Sequence, residues 1–284
     1  QARGKWREQL RFRVRAVYEM LTGEILKPLP KWGEVVGVGW RNRKNRAKRA
    51  APTAPALREA QVFALLLAGG SRGVKIRAGE VLFADDFSKG TDNWHLYGPG
   101  EFTTDEKGMR QKNRRPRNAD THTFTKKEFE GNFLFEFDFT PNNGGRGPGV
   151  LFSICARPVK EGTDLSVSCG EEMGVYNFGV HAYHFSMHRG ETGICNGRKV
   201  GTGLHLIGSC TPDPAKETGR TYRVAIGKWG NSIFCVVDGK LQHSYYDAGT
   251  FGPALSGGSC GFRHWGGADS TYGKVKISRL EEVK

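Results

Sequence analysis

Phe133-Leu-Phe-Glu-Phe-Asp-Phe139 puts an aromatic ring at every second position, with Leu134, Glu136 and Asp138 in between. A period of two is the side-chain repeat of a β-strand, so the four rings share one face and the acidic residues lie on the other. A helix would scatter the same residues around its circumference. Pro141-Asn-Asn-Gly-Gly145 stops the run.

The same texture continues outward from this stretch. Tyr222-Arg-Val-Ala-Ile226 and Ile233–Val237 flank a Gly230-Asn231 turn. Asp238-Gly239 then predicts a tight hairpin, because a two-residue type I′ turn needs positive φ at both central positions. Lys240–Tyr246 is the returning strand. Near the end, Val275 and Ile277 alternate with Lys276 and Ser278. After Val81 the pattern supports no helix of three or more turns. Short strands separated by turns predict an all-β fold, an antiparallel β-sandwich or barrel. No repeat of fixed period is present, which counts against a propeller or solenoid.

Charge divides the chain. Its 284 residues carry 43 Lys+Arg and 29 Asp+Glu, a formal net charge of +14. Residues 1–80 hold 18 of the basic and 6 of the acidic groups, leaving 25 and 23 for the remainder. All eight histidines and all six cysteines lie in that nearly neutral part. The expected organisation is a basic N-terminal extension over 1–80 and a sandwich domain over 81–284. The extension is expected to be partly helical around Trp6–Leu21, with Arg7, Arg11, Arg13 and Arg15. Its basic run Arg41–Arg49 and Ala/Pro linker Ala50–Ala56 are expected to be partly disordered. No aromatic residues interleave with the basic run as base stacking requires, so nucleic acid is not the expected partner.

No apolar run reaches the roughly 18–20 residues of a membrane span. Val62–Ala68, before Gly69-Gly-Ser71, has the length of a secretory segment, and a secreted or periplasmic location is expected from it. Against that, Arg72, Lys75 and Arg77 follow, and no good Ala-x-Ala site comes after the segment. The cysteines show no metal-type spacing, which predicts buried thiols with at most one or two disulfides.

Three stretches resemble the strands of laminin-G-like and concanavalin A-like carbohydrate-active domains. They are Leu82-Phe-Ala-Asp-Asp-Phe-Ser88 with Trp94, Gly219–Ile226 with Val236-Val-Asp-Gly-Lys240, and Gly261-Phe-Arg-His-Trp265 leading to Val275–Leu280. His122-Thr-Phe124 with Phe129, Tyr183–Arg189, and Asn196–Lys199 followed by His205-Leu-Ile207 more specifically resemble the YesU-like family, DUF1961. The resemblance implies a concanavalin A-like jelly roll that handles an oligo- or polysaccharide on its concave face, within polysaccharide degradation. A lyase-type or hydrolase-type enzyme and a non-catalytic, lectin-like module both fit. No reaction comes with the family, and nothing sets the oligomeric state.

Val180–Gly190 is the densest group of chemistry-bearing side chains. On a strand, His184, Ser186 and His188 share one face with Ala182, while Tyr183, Phe185 and Met187 take the core. Residues four apart on a strand stand roughly 13 Å apart, too far for His184 and His188 to share one zinc ion. Elimination from a uronic acid needs a base and a cation to neutralise its carboxylate. His184, Tyr183 and Arg189 are the catalytic candidates. Ser186, His188, His122, Arg198, Lys199 and His205 are candidates for polar contacts to sugar hydroxyls, and Trp94, Tyr97 and Trp265 for stacking. Plain hydrogen bonding within a sandwich face is the alternative for His184 and Ser186. Glu136 and Asp138 begin the Glu-x-Asp-x-x-Glu pattern of sandwich glucanases, but Pro141 fills its sixth position, so paired-carboxylate hydrolysis lacks a partner. No cofactor is required. Asp86 and Asp269 could hold a structural Ca²⁺ where the two ends of the domain meet, with solvated turn residues as the alternative.

Overall fold

The computed structural model describes residues 62–66, 73–113, 119–143, 149–170, 173–188 and 193–283. The expected helix at Trp6–Leu21, the basic run Arg41–Arg49 and Arg189 lie outside the described residues.

In chain order the elements are β1 (Val62–Leu66), β2 (Gly73–Asp85), β3 (Trp94–Tyr97), β4 (Gly100–Asp105), β5 (Gly108–Asn113), β6 (Asp120–Thr125), β7 (Phe129–Glu130), β8 (Phe133–Pro141) and β9 (Val150–Pro158). Two short helices follow, α1 (Leu165–Cys169) and α2 (Met173–Gly179). The chain continues through β10 (Val180–Met187), β11 (Cys195–Val200), β12 (Leu204–Cys210), β13 (Tyr222–Trp229), β14 (Ser232–Val237), β15 (Lys240–Tyr246), β16 (Gly257–Trp265) and β17 (Asp269–Glu282).

These strands form two antiparallel sheets. The first runs β1-β2-β17-β8-β13-β14-β15, with β5 on β17 and β4 on β5. The second runs β12-β11-β10-β9-β16-β6-β3, with β7 on β16. Ile277 of the last strand pairs with Phe83 of β2, so the ends of the domain meet as expected. The sandwich also starts earlier than Val81. Residues 73–80 already belong to β2, and Val62–Leu66, within the stretch expected to act as a secretory segment, pairs with β2 as an edge strand. Among the described residues no helix is long and apolar enough to cross a membrane.

Phe133, Phe135, Phe137 and Phe139 are all completely buried on the inner face of the first sheet. They meet the second sheet's rings edge-on, as in Phe137–Phe152 at 4.9 Å between centroids. Phe262 of β16 stacks on Tyr272 of β17 at 3.7 Å, tying one sheet to the other. Each such ring removes roughly 150–250 Å² from water. Truncating one to alanine costs about 3–5 kcal/mol. The Asp238-Gly239 hairpin forms with φ of 49° and 76°, the doubly positive geometry its sequence predicts.

The helices are short because neither has a long amphipathic repeat. Asp164 caps α1 by accepting from the Ser166 amide at 2.7 Å. Gly179 closes α2 against α1, where a Cβ would stand 2.2 Å from the Ser168 carbonyl oxygen. Together they lie over the face of the second sheet that points away from the core. There Tyr176 and Cys169 pack with Phe124, Ala182 and Val200.

Candidate functional site

The register of the second sheet lines up side chains on this outer face. Tyr97, His122, Arg263, Leu151, Ser186 and Asn196 stand opposite one another across six strands. The next row holds Ser153, His184 and Arg198. A half-solvated sheet would carry exposed polar groups here. Instead His122, His184, Ser153 and Asp120 are completely buried, and Arg263 is 2% exposed.

Arg263 is the centre of the cluster. It donates to Asp120 Oδ2 at 2.6 Å, and its guanidinium lies 4.2 Å from the centroid of the Tyr176 ring. The cation is therefore held by a carboxylate within the sheet and by an aromatic face from the helical cover. Tyr176 Oη and Ser153 Oγ are 3.1 Å apart. His122 and His184 both stack on the Tyr176 ring, at 5.3 and 5.9 Å. Arg198 reaches the Ser186 hydroxyl at 3.5 Å, a long contact.

Several of these groups lack hydrogen bonds. Both ring nitrogens of His122, Nε of Arg263, Oδ1 of Asp120 and the indole nitrogen of Trp265 are buried without a partner. A buried polar atom left unpaired costs about 1–3 kcal/mol. Four such residues on one face describe a place where a ligand or ordered water completes the bonding.

Burial sets the protonation states. It pushes the His122 imidazole well below its ordinary value, reinforced by the charge of Arg263, so the ring is neutral near pH 7. It raises the Asp120 carboxyl, against the opposing pull of Arg263. It also pushes the Tyr176 hydroxyl up to about 12. The result is a neutral base, a fixed cation and a protonated phenol within one cluster.

Of the residues expected from sequence, the structure brings His122, His184, Ser186, Arg198 and Trp265 to this face. Arg189 lies outside the described residues. Tyr183 points the other way, into the core. Its hydroxyl donates to Asp247 Oδ2 at 2.5 Å and accepts from the Leu255 amide at 3.0 Å. Lys199, paired opposite Tyr183, takes the same inward face and binds Asp247 at 2.7 Å and the carbonyls of Gly252 and Pro253 at 2.8 Å. Burial alone would raise the Asp247 carboxyl, but the bonds from Lys199 and Tyr183 outweigh it and hold it below the ordinary value. These two are internal structural groups and do not belong to the outer face.

Trp94 is also core, with its indole donating to Asp85 at 2.9 Å, so it offers no stacking surface. His205 sits on edge strand β12, stacked on Phe251 at 4.3 Å and next to Thr202. His188, just after β10, is spent on the carbonyls of Ala215 and Asn143 at 3.0 and 2.6 Å. Asp86 and Asp269 do not form a common calcium site. Asp85 pairs with Val275 while Asp269 pairs with Lys112, which separates the two by about 20 Å of strand. Asp269 is also engaged by Arg110 at 2.5 Å and Asn142 at 2.9 Å.

Sequence reading missed Arg263, Asp120, Tyr176 and Ser153. Arg263 stands between Phe262 and His264, and alternation alone puts it outward. A charge on an outer face reads as solvated unless something covers it. The cover is α1 and α2, of five and seven residues, too short to leave a periodic signal.

The fold is shared with solved structures. A protein of unknown function with galectin-like fold from Bacillus subtilis superposes with a TM-score of 0.62 at 21% identity, over 72% of this chain and 98% of that one. The metal-free carbohydrate recognition domain of Emp46p superposes at 0.50 and 13% identity, over 71% and 94%. No curated protein matches the chain. Residues 80–277 match the family described as "Domain of unknown function (DUF1961)", and the chain belongs to that family.

Proposed function

We propose that this protein handles an acidic oligo- or polysaccharide on the outer face of the second sheet and cleaves it by elimination. The carrying observation is His122, a neutral, completely buried imidazole with both nitrogens unpartnered, one sheet position from the Arg263 guanidinium. Arg263 Nε supplies a donor for a uronate carboxylate, which acidifies the adjacent C–H. The proton on that carbon passes to a His122 nitrogen and the bond to the glycosidic oxygen one carbon further breaks. A C=C bond forms between the two carbons. The Tyr176 hydroxyl, still protonated, is the group that can return a proton to the departing oxygen. Carbohydrate as the ligand class is supported by the likeness of the fold to a carbohydrate recognition domain and by the polar and aromatic make-up of the site. Among the described residues of the cluster Asp120 is the one carboxylate, and Arg263 already holds it, so a two-carboxylate hydrolysis finds no pair among them.

The likeness to a carbohydrate recognition domain favours a second reading, a lectin-like module in which the same groups bind sugar without turnover. In either reading the cover that carries Tyr176 has to move aside to admit sugar. The two separate on a panel of uronate-containing and neutral polysaccharides. Ultraviolet absorbance from unsaturated products, lost in His122→Ala, is the expected outcome. Retention in affinity gels without product would replace the lyase by the module. Neither product nor retention with any glycan would overturn the carbohydrate reading.

A further inference from the structure

Cys195, Cys210 and His243 are far apart in sequence, yet one ligand atom of each lies within 4.8 Å of the others. Cys195 and Cys210 are direct cross-strand partners on β11 and β12. His243 comes from β15, in the other sheet. Strands β12 and β15 are the outermost strands of their sheets on this side, so the three residues sit where the sandwich is open.

Local features aim the imidazole at the thiols. Register slips between Cys235 and Val236, because His243 and Leu241 pair with these neighbours and leave Gln242 as the extra residue. Such a bulge re-aims the side chains beside it. The ring rests on Phe185 at 5.3 Å, which fixes its plane. Gly208 leaves it room, since a Cβ there would stand 3.1 Å from His243 Nδ1. Nε2 is thereby turned to Cys195 Sγ, 3.0 Å away. Cys195 is completely buried, His243 is 7% exposed and Cys210 is half-buried.

We propose that Cys195, Cys210 and His243 form a Zn²⁺ site that ties the free edges of the two sheets together. Two thiolates and an imidazole are the soft donor set that Zn²⁺ takes, with Zn–S about 2.3 Å and Zn–N about 2.0–2.1 Å. Tetrahedral geometry with those bonds spaces the ligand atoms roughly 3.5–3.8 Å apart, which the present cluster reaches by small side-chain adjustments. The half-buried side at Cys210 leaves the fourth position to water. Binding releases the thiol protons. The site is independent of the outer-face cluster, because Cys195 belongs to the core-facing set with Tyr183 and Phe185.

The test is titration of the reduced, metal-free full chain with Co²⁺ and then Zn²⁺. Thiolate-to-cobalt charge-transfer absorption and intense tetrahedral ligand-field bands are expected to saturate at one equivalent, and Zn²⁺ is expected to displace them. Cys210→Ser, at the least buried ligand, should lose the charge-transfer signature, whereas Cys169→Ala, a buried thiol of α1 on the outer face, should keep it. Thermal unfolding of the wild type should shift upward with Zn²⁺, a readout that needs no variant. Any of three results overturns the proposal: no stoichiometric uptake by folded, reduced protein, an unchanged Cys210→Ser titration, or a metal-free Cys195–Cys210 disulfide as the purified state.

Discussion

The outer face of the first sheet and the outer face of the second carry charge in opposite ways. On the first, Glu136 and Asp138 look out between their buried phenylalanines and meet Arg223, Lys274 and Lys276 at 3.0–3.5 Å. Two carboxylates face three cations, and Lys274 is 81% exposed. On the second, Arg263 and Asp120 form one pair with almost no solvent contact, among neighbours whose hydrogen bonds are incomplete. On the first face Asp138 and the lysines are open to water, and Glu136, itself only 5% exposed, is met by both Arg223 and Lys276. On the second, ordered water or a ligand has to complete the bonding, because burying orphaned polar atoms costs free energy. Acidic residues drew attention to the first face in the sequence, but burial and missing partners direct it to the second.

Removing one charge from each face is the sharpest way to break this comparison. Arg263→Met leaves Asp120 buried beside no cation and should lower the unfolding free energy by about 3–5 kcal/mol in urea titrations. Glycan handling should be lost with it. Replacing both partners, Arg263→Met with Asp120→Leu, should recover most of the stability and none of the function. A loss under about 1 kcal/mol for the single change would make Arg263 an ordinary surface cation.

Acid should find the same face. His122 is held well below its ordinary value and so stays neutral in the folded protein, while the unfolded chain takes up a proton near pH 6.5. Its contribution to stability is complete above that pH and is lost as pH falls toward the depressed folded value. His264, on the inner face against Tyr272 and held down to about 3 by burial, adds a second loss of the same sign. Each should cost about 1.4 kcal/mol per pH unit below pH 6.5. In His122→Phe the slope of stability against pH should fall by roughly one histidine's share. An unchanged slope would mean that His122 is protonated in the fold.

At neutral pH, His122→Phe is expected to keep the stack on Tyr176 and delete two unpartnered nitrogens. Stability should rise by about 1 kcal/mol while catalysis or binding disappears, the signature of a residue kept for its ligand. A variant that is both less stable and fully active would assign His122 to packing.

How much of this was legible in the sequence follows from the kind of signal each residue leaves. Phe133 to Phe139 and Asp238-Gly239 were readable because strand period and turn chirality are local properties. The shared face of His184 and Ser186 was readable for the same reason. Alternation puts Tyr183 in the core, yet a hydroxyl beside His184 reads as a catalytic candidate. In the fold that hydroxyl is spent on Asp247, 64 residues away. A lysine reads as exposed, and only the β10–β11 register turns Lys199 inward. Arg263 and Asp120, 143 residues apart, become a buried pair through the pairing of β16 with β6 and the cover of two short helices. Cys195 and His243 meet only because the two sheets do.

The smallest effect belongs to the first face and is the control for everything above. Arg223 contacts Glu136 at 3.5 Å and Asp138 at 3.3 Å with 21% of its side chain exposed. After Arg223→Met, Lys276 still stands 3.0 Å from Glu136 and Lys274 3.3 Å from Asp138, so neither carboxylate is stranded. The Glu136 side chain is only 7% exposed, but it keeps Lys276, and the pair with the partly exposed Asp138 is of the kind that contributes about 0–1 kcal/mol, screened by salt. The variant should therefore unfold within about 1 kcal/mol of the wild type and lose that small difference at high salt. Glycan handling should not change. If Arg223→Met instead costs as much as Arg263→Met, the two faces are energetically alike, and burial is not what distinguishes the site from the rest of the surface.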